Sequence, residues 1–229
     1  VIEDSLGHKY VKAITQDENL DYGTLSVNSF INHKFNSRHI IRTGFTAHHQ
    51  TFSLYMKDYN YEERLLETLI SNSGSTQMLE GYVQWQYRLS EKVELNTGLH
   101  GTYMFLNDDL VIEPRMGFTW KVNDKNTINL GAGLHSKAEP LSIYLSEQVA
   151  PDGSISTPNM NLGITKSAHF VAGYNWNFAR DFRLKTELYY QYLYEVPVKI
   201  GDTTGTITAL NFSSGYTNDA LSNEGRLLV

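Results

Sequence analysis

Hydrophobic and polar residues alternate with period two along most of the chain, from about Tyr22 to Tyr194. Between Met78 and Leu89, one face holds Leu79, Val83, Trp85, Tyr87 and Leu89, with Gly81 among them. The other holds Met78, Glu80, Tyr82, Gln84, Gln86 and Arg88. A β-strand points successive side chains to opposite sides, so this pattern predicts strands with one apolar and one polar surface. After Ser90-Glu91 it resumes, with Val93, Leu95, Thr97, Leu99, Tyr103 and Phe105 opposing Lys92, Glu94, Asn96, His100 and Thr102. Leu110, Ile112, Met116, Phe118 and Trp120 then oppose Glu113, Arg115, Thr119 and Lys121, and Ile128, Leu130, Ala132 and Leu134 oppose Asn129, Gly131, Gly133 and His135. The last hairpin puts Phe170, Ala172, Tyr174, Trp176, Phe178, Phe182, Leu184, Leu188, Tyr190, Tyr192 and Tyr194 on a single face. The first pair, near Tyr22–Phe35 and Arg38–Phe52, alternates less regularly, though Ile41, Thr43, Phe45 and Ala47 still share a side.

About eight strands result. Several run to roughly 12–15 residues, against about 5–6 in globular sheets and about 9–11 needed to cross a bilayer. Tight turns are predicted at Asn36-Ser37, Leu89–Glu91, Val122–Lys125 and Ala179–Asp181. The other connections include the long segments Met56–Thr76 and Lys137–Leu162; Leu106–Asp109 is the short exception. Short turns at one end and long loops at the other are the pattern of a transmembrane barrel. If Leu89–Glu91 is a three-residue loop, Arg88 faces Lys92, Gln86 faces Glu94, Trp85 pairs with Leu95 and Tyr82 covers Gly98. The stretch Tyr61–Ile70 has the composition of a short helix within a loop or of a strand extension.

Aromatic placement agrees. Trp176, Phe178 and Phe182 flank a tight turn, and Tyr190, Tyr192 and Tyr194 lie at the far end of the same face. Phe182 to Tyr192 is roughly 33 Å along a strand, or about 25 Å of height when tilted, which is the height of an apolar band between two aromatic girdles.

Composition changes little in this picture. The chain is 41% hydrophobic with 15 Tyr and 10 Phe, sufficient for a folded protein. Mean hydropathy is −0.37, which suits a barrel whose lipid-facing and lumen-facing residues alternate. The net charge of −6 without a basic stripe argues against a nucleic-acid partner. Cysteine is absent, excluding disulfides and Cys-ligated zinc. VIEDSLGHKY carries no basic and apolar export signal, so an exported protein would have lost its leader or the chain would begin inside a longer one.

No chemistry-bearing motif emerges. His48 and His49 are adjacent and point to opposite faces of a strand, and no HxH, HExxH, GxSxG or phosphate loop is present. The expectation is a non-enzyme without cofactor, metal or catalytic residues. The polar-face charges Glu80, Arg88, Glu94, Glu113, Arg115, Arg183, Lys185 and Glu187 could guide a substrate, but a polar lumen needs such side chains to pair with one another in any case. Selectivity is expected in the long loops, with Tyr144 and Asn159 as candidates.

Specific strings carry a resemblance. FRLKTELYYQYLYEVPV (Phe182–Val198) resembles the penultimate region of TonB-dependent outer-membrane receptors, in the Bacteroidetes branch with an N-terminal carboxypeptidase-like regulatory domain. IEPRMGFTW (Ile112–Trp120), GLHSKAEPL (Gly133–Leu141) and SAHFVAGYNWNF (Ser167–Phe178) resemble its barrel strands in the same order, and the likeness runs from about Leu20 to Glu224. It implies an all-β antiparallel sector of a larger, 22-stranded barrel in the bacterial outer membrane, with residues 1–229 as a partial barrel domain. A plug domain and TonB box are missing and the end, NEGRLLV, lacks the usual terminal aromatic, so a fragment truncated at both ends is expected. The implied partners are outer-membrane lipid, the TonB complex acting through the plug, and a scarce nutrient: a siderophore or other metal chelate, a glycan or a peptide. The alternatives are a small self-contained outer-membrane barrel acting as enzyme or adhesin, and a soluble carbohydrate-binding β-sandwich. The first requires pairing between the first and last strands.

Overall fold

The computed structural model describes residues 2–3, 9–10, 16–60, 64–150, 152–202, 204, 208–211, 217 and 219–228. Nine strands form one antiparallel sheet: β1 (Gln16–Lys34), β2 (His39–Asn60), β3 (Leu65–Arg88), β4 (Val93–Met104), β5 (Asp109–Lys121), β6 (Asn126–Lys137), β7 (Thr165–Ala179), β8 (Phe182–Lys199) and β9 (Leu221–Leu228). Each strand pairs with its neighbours in sequence, a plain meander. β1 and β9 lie at opposite edges and do not pair, so the sheet is open, as the resemblance implied, and neither the small closed barrel nor a two-sheet sandwich describes it. Two short ribbons lie outside it: Ile2–Glu3 with Lys9–Tyr10, and Gln148–Val149 with Ile155–Ser156.

The two faces follow the alternation. Phe170 pairs with Tyr190, Ala172 with Leu188 and Trp176 with Leu184 on the apolar face, and Asn175 with Lys185 and His169 with Gln191 on the polar one. Apolar side chains stand exposed across the first face: Leu188 at 73%, Phe182 at 63% and Phe170 at 54%. Aromatic clusters mark its tight-turn end. His39 stacks with Tyr87 and with Trp85, whose indole Nε1 donates to His39 Nδ1 at 3.2 Å. Phe178 lies between Trp176 and Phe182 in the same row. At the opposite end, Tyr103 packs on Phe105 and Tyr192 on Tyr194.

Three expectations are corrected, and the open choice for Tyr61–Ile70 falls to its strand alternative. The strands number nine, because Leu221–Leu228 adds to β8 through an irregular register; bulges interrupt it, and its alternation is too short to stand out. Met56–Thr76 is no loop: β2 and β3 run on together until Asn60 pairs with Leu65. The helix-like stretch is strand from Leu65, with Tyr61–Glu63 outside the described residues. Here cross-strand pairing outweighs helix propensity. Finally, the β3–β4 register is two residues further on than predicted. Arg88 faces Glu94, Trp85 faces Thr97 and Tyr82 faces His100. Five residues, 89–93, now separate the last pair in place of three, and Ser90 Oγ accepts from the Lys92 and Val93 amides among them. The shift replaces a like-charged pair by the Arg88–Glu94 ion pair at 3.4 Å. Tyr82 covers a glycine on its other neighbour instead: it pairs with Gly44, where an added Cβ would lie 3.0 Å from the Tyr82 ring and 2.6 Å from the Ser29 carbonyl.

The buried core lies at the long-loop end, on the polar face. Phe52, Leu54, Met56, Leu69 and Ile70 from β2 and β3 enclose Leu145. Met104, Val111 and Leu221 enclose Ile143, Tyr144, Leu162 and Ile164. The connection 138–164 therefore folds back across strands β2–β5 and does not stand off the rim.

Candidate ligand-binding face

The inward-folded connection has identifiable anchors. A bulge between Met56 and Lys57 lets Leu69 and Ile70 both turn inward, and the Leu69 carbonyl accepts the Glu147 amide at 2.8 Å. Asn159 is fully buried; its Nδ2 donates to Ser146 Oγ and to the Asp219 carbonyl, and its Oδ1 accepts from the Leu221 amide. Asn223 accepts the Gly163 amide and donates to the Gly163 and Glu195 carbonyls. Tyr144 has no exposed surface, and burial pushes its phenol up to about 12. Both loop candidates thus sit as anchors inside the buried region at the long-loop end, the crown of the sheet.

The polar-face charges are largely satisfied by neighbours. Arg88 pairs with Glu94, Lys185 with Glu187, and Glu80 lies 3.5 Å from His48. Arg183 donates to Asn175 at 2.7 Å. Glu113, with its side chain only 3% exposed, accepts from Arg115 and Ser136 and bonds His100 at 2.9 Å. The β5–β6 ladder ends at Arg115↔Gly133, although both strands continue; Pro114, without an N–H, sits one residue beyond it. Glu113 occupies the resulting gap. This carboxylate network closes a seam where backbone pairing stops.

Four polar side chains on β7 and β8 form a second unit. Ser167 Oγ lies 2.7 Å from His169 Nε2, and His169 Nδ1 lies 2.8 Å from the Tyr189 hydroxyl. Tyr189 donates to Gln191 Oε1, and Gln191 Nε2 donates to Ser167. With the His169 proton on Nδ1, every donor and acceptor in this ring is matched. His135 packs edge-on against His169, with ring centroids 4.6 Å apart.

Between these units the floor is bare. Gly98 and Gly133 flank Arg115 on the neighbouring strands, and Gly117 pairs with Gly131. The hollow is about 540 Å3 and is lined by Gln84, Asn96, His100, Arg115, His135 and His169 around these glycines. Of these residues, only Arg115 figured as a candidate in the sequence. Recognising the rest required the register, because the glycines and imidazoles come from four strands whose alignment the alternation leaves open. Among the described residues, no group of three or more His, Asp or Glu side chains is placed to share a metal ion.

No family model matches this chain, and no curated protein does. Solved structures do. The siderophore receptor PirA from Pseudomonas aeruginosa is similar over 92% of this chain at TM-score 0.66 and 14% identity. The copper transporter OprC is similar over 80% at 0.57 and 11%, and the FrpB iron transporter from Neisseria meningitidis over 92% at 0.58 and 10%. The chain spans about a third of each of these, 38%, 32% and 32% respectively. At such identities the common property is the fold: the nine-stranded open sheet follows the course of part of the chain in β-barrel receptors and transporters.

Proposed function

We propose that this chain is a sector of the barrel wall of a TonB-dependent receptor in the bacterial outer membrane, one that takes up a scarce nutrient. The observation that carries the reading is the two-sided wall: an exposed apolar face with aromatic clusters at both ends, backed by a polar face across which a long connection folds inward. An exposed apolar surface of this extent needs an apolar partner, and with aromatic clusters at both ends a lipid bilayer supplies one. The fold shared with siderophore and metal receptors and transporters supports the same reading. Nutrients of the class are metal chelates, glycans and peptides. The wall contributes no catalytic chemistry in this scheme; force reaches the lumen through a plug contacted by TonB. The strings quoted above favour the Bacteroidetes branch. The test is uptake in cells: deleting the gene that encodes this wall should abolish growth on one limiting nutrient, and removing TonB should reproduce the loss. Uptake that persists without TonB rejects the reading.

A further inference from the structure

At the long-loop end β3 outruns its next neighbour. β4 ends at Met104, which pairs with Met78, while β3 extends beyond that level to Leu65 along β2. Past the last β3–β4 pair, the Gln77 carbonyl accepts the Phe105 amide at 3.1 Å and the Leu69 carbonyl accepts the Glu147 amide at 2.8 Å. Main-chain groups alternate sides along a strand, so Ser71, Ser73 and Ser75, between these two, also turn their amides and carbonyls away from β2. Among the described residues, none of these six groups has a partner. The chain thus closes the edge at both ends and leaves the Ser71–Ser75 slot, roughly 16 Å long, open between them.

The slot opens to water on the outer flank of the wall. The apolar outer row ends at Ala47 and Leu79; beyond it the outward positions are His49, Thr51 and Ser53 on β2 and Gln77, Ser75, Ser73 and Ser71 on β3, and the three serines are exposed. The inward side is roofed, with Leu145 packed on Phe52, Leu54 and Ile70. On the reading given above, the plug lies on that inward side and the strands that complete the barrel continue from β1 and β9, so neither faces the slot. Natural sheets shield such edges with lysine, proline or bulges. Ser71-Asn72-Ser73-Gly74-Ser75 carries neither charge nor proline, and the bulge of β3 lies at Leu69, where the edge is already taken.

We infer that the Ser71–Ser75 edge takes an extended segment of a second protein outside the cell, which adds to β3 as a further strand. Donors and acceptors that repeat at every second residue match a polypeptide main chain. Access from the outer flank, with the inner side roofed, fits a protein beside the receptor and not cargo in the lumen. The inference rests on the long-loop end standing outside the membrane. This chain contains no cysteine, so disulfide trapping tests the edge. Ser75→Cys, in the detergent-purified native protein with no other cysteine, is equilibrated in a thiol–disulfide buffer with the peptide acetyl-Thr-Val-Cys-Val-Thr-amide. One form is N-methylated at Cys and the last Thr, whose amides face β3 when the two cysteines pair. The other is N-methylated at both Val, whose amides face away. The second form should be trapped at least about tenfold more than the first. At Ser53→Cys, on the interior strand β2, the two forms should be trapped equally. Ser73→Pro removes one edge amide and no bond to β2. Added to Ser75→Cys, it should erase the difference while the protein keeps the heat-modifiable migration of a folded barrel. Equal trapping of both forms at Ser75→Cys, an equal difference at Ser53→Cys, or a difference that survives Ser73→Pro overturns the inference. So do disulfide-linked dimers forming at Ser75→Cys in place of the mixed disulfide, which would assign the edge to a second copy. All of these leave TonB-dependent uptake untouched, whereas uptake that persists without TonB removes the functional reading whatever the trapping shows.

Discussion

Apolar residues have opposite environments in two regions of this molecule. Along the wall, Leu188, Phe182 and Phe170 are more than half exposed; in the crown, Met56, Ile70 and Tyr144 have no accessible surface. The same β2 and β3 serve both regions. Below the crown their apolar positions face outward, and within it Phe52, Leu54 and Met56 on the polar-face row turn apolar and enclose the returning connection. A wall that needs an apolar solvent thus ends in a small water-type core of its own. Stability in the wall should depend on what surrounds the protein, and stability in the crown on what packs inside it.

The largest effect that separates the regions is a charge on the outer wall. Leu188→Arg, midway between the two aromatic clusters, should destabilise the folded protein in bilayers by about 2–4 kcal/mol, whereas Gln86→Arg on the polar face, near Glu94, should cost under about 1 kcal/mol. Denaturant unfolding of the native protein in liposomes measures both, and equal losses would mean the faces are exchanged. Asn175 makes a poor control, because it is 8% exposed, accepts from Arg183 and faces Lys185.

Truncation distinguishes the regions in the other sense. Ile143→Ala removes a side chain that is 1% exposed inside the crown and should cost about 2–4 kcal/mol, lost as local release of the 138–164 connection. Leu188→Ala on the wall should cost far less, since its surroundings close over the gap as a fluid does. Protease cutting within the connection, with the barrel otherwise intact, is the expected signature of the first. Asn159→Ala comes next at about 1–3 kcal/mol, because it strands the buried Leu221 amide.

How much of this the alternation could reveal also follows the division. On the wall the alternation assigns the residues from Met78 to Arg88 to the sides they occupy, because one face must be apolar and a period of two leaves no other choice. Register escaped by two residues, since faces are unchanged by a shift of two and only the Ser90 turn chooses between the alternatives. The crown escaped more fully. Its apolar residues break the alternation, so Met56–Thr76 reads as a loop, and Tyr144 and Asn159 read as binding residues although they are the connection's own anchors. A cross-linking test fixes the register: cysteines at Trp85 and Thr97 should form a disulfide efficiently, and cysteines at Trp85 and Leu95 should not.

The smallest predicted effect concerns the crown alone and is read at high pH. Burial raises the Tyr144 phenol to about 12, above the ordinary value near 10. The fold therefore favours the neutral phenol. That contribution is fully present below about pH 10 and is lost as pH rises from there through about 12, because the unfolded connection releases its proton first. The 138–164 connection should then come away while the wall, whose ladder needs no ionisable group, keeps its strand signal. Other tyrosines titrate in the same range, so the comparison that matters is with Tyr144→Phe. That variant keeps the buried ring and gives up a single long contact, 3.4 Å from the Glu139 amide. Its connection should stay protected from protease between pH 10 and 12, where the wild-type connection becomes cleavable. Identical alkaline cleavage in both proteins would mean that the crown opens through a group other than this phenol.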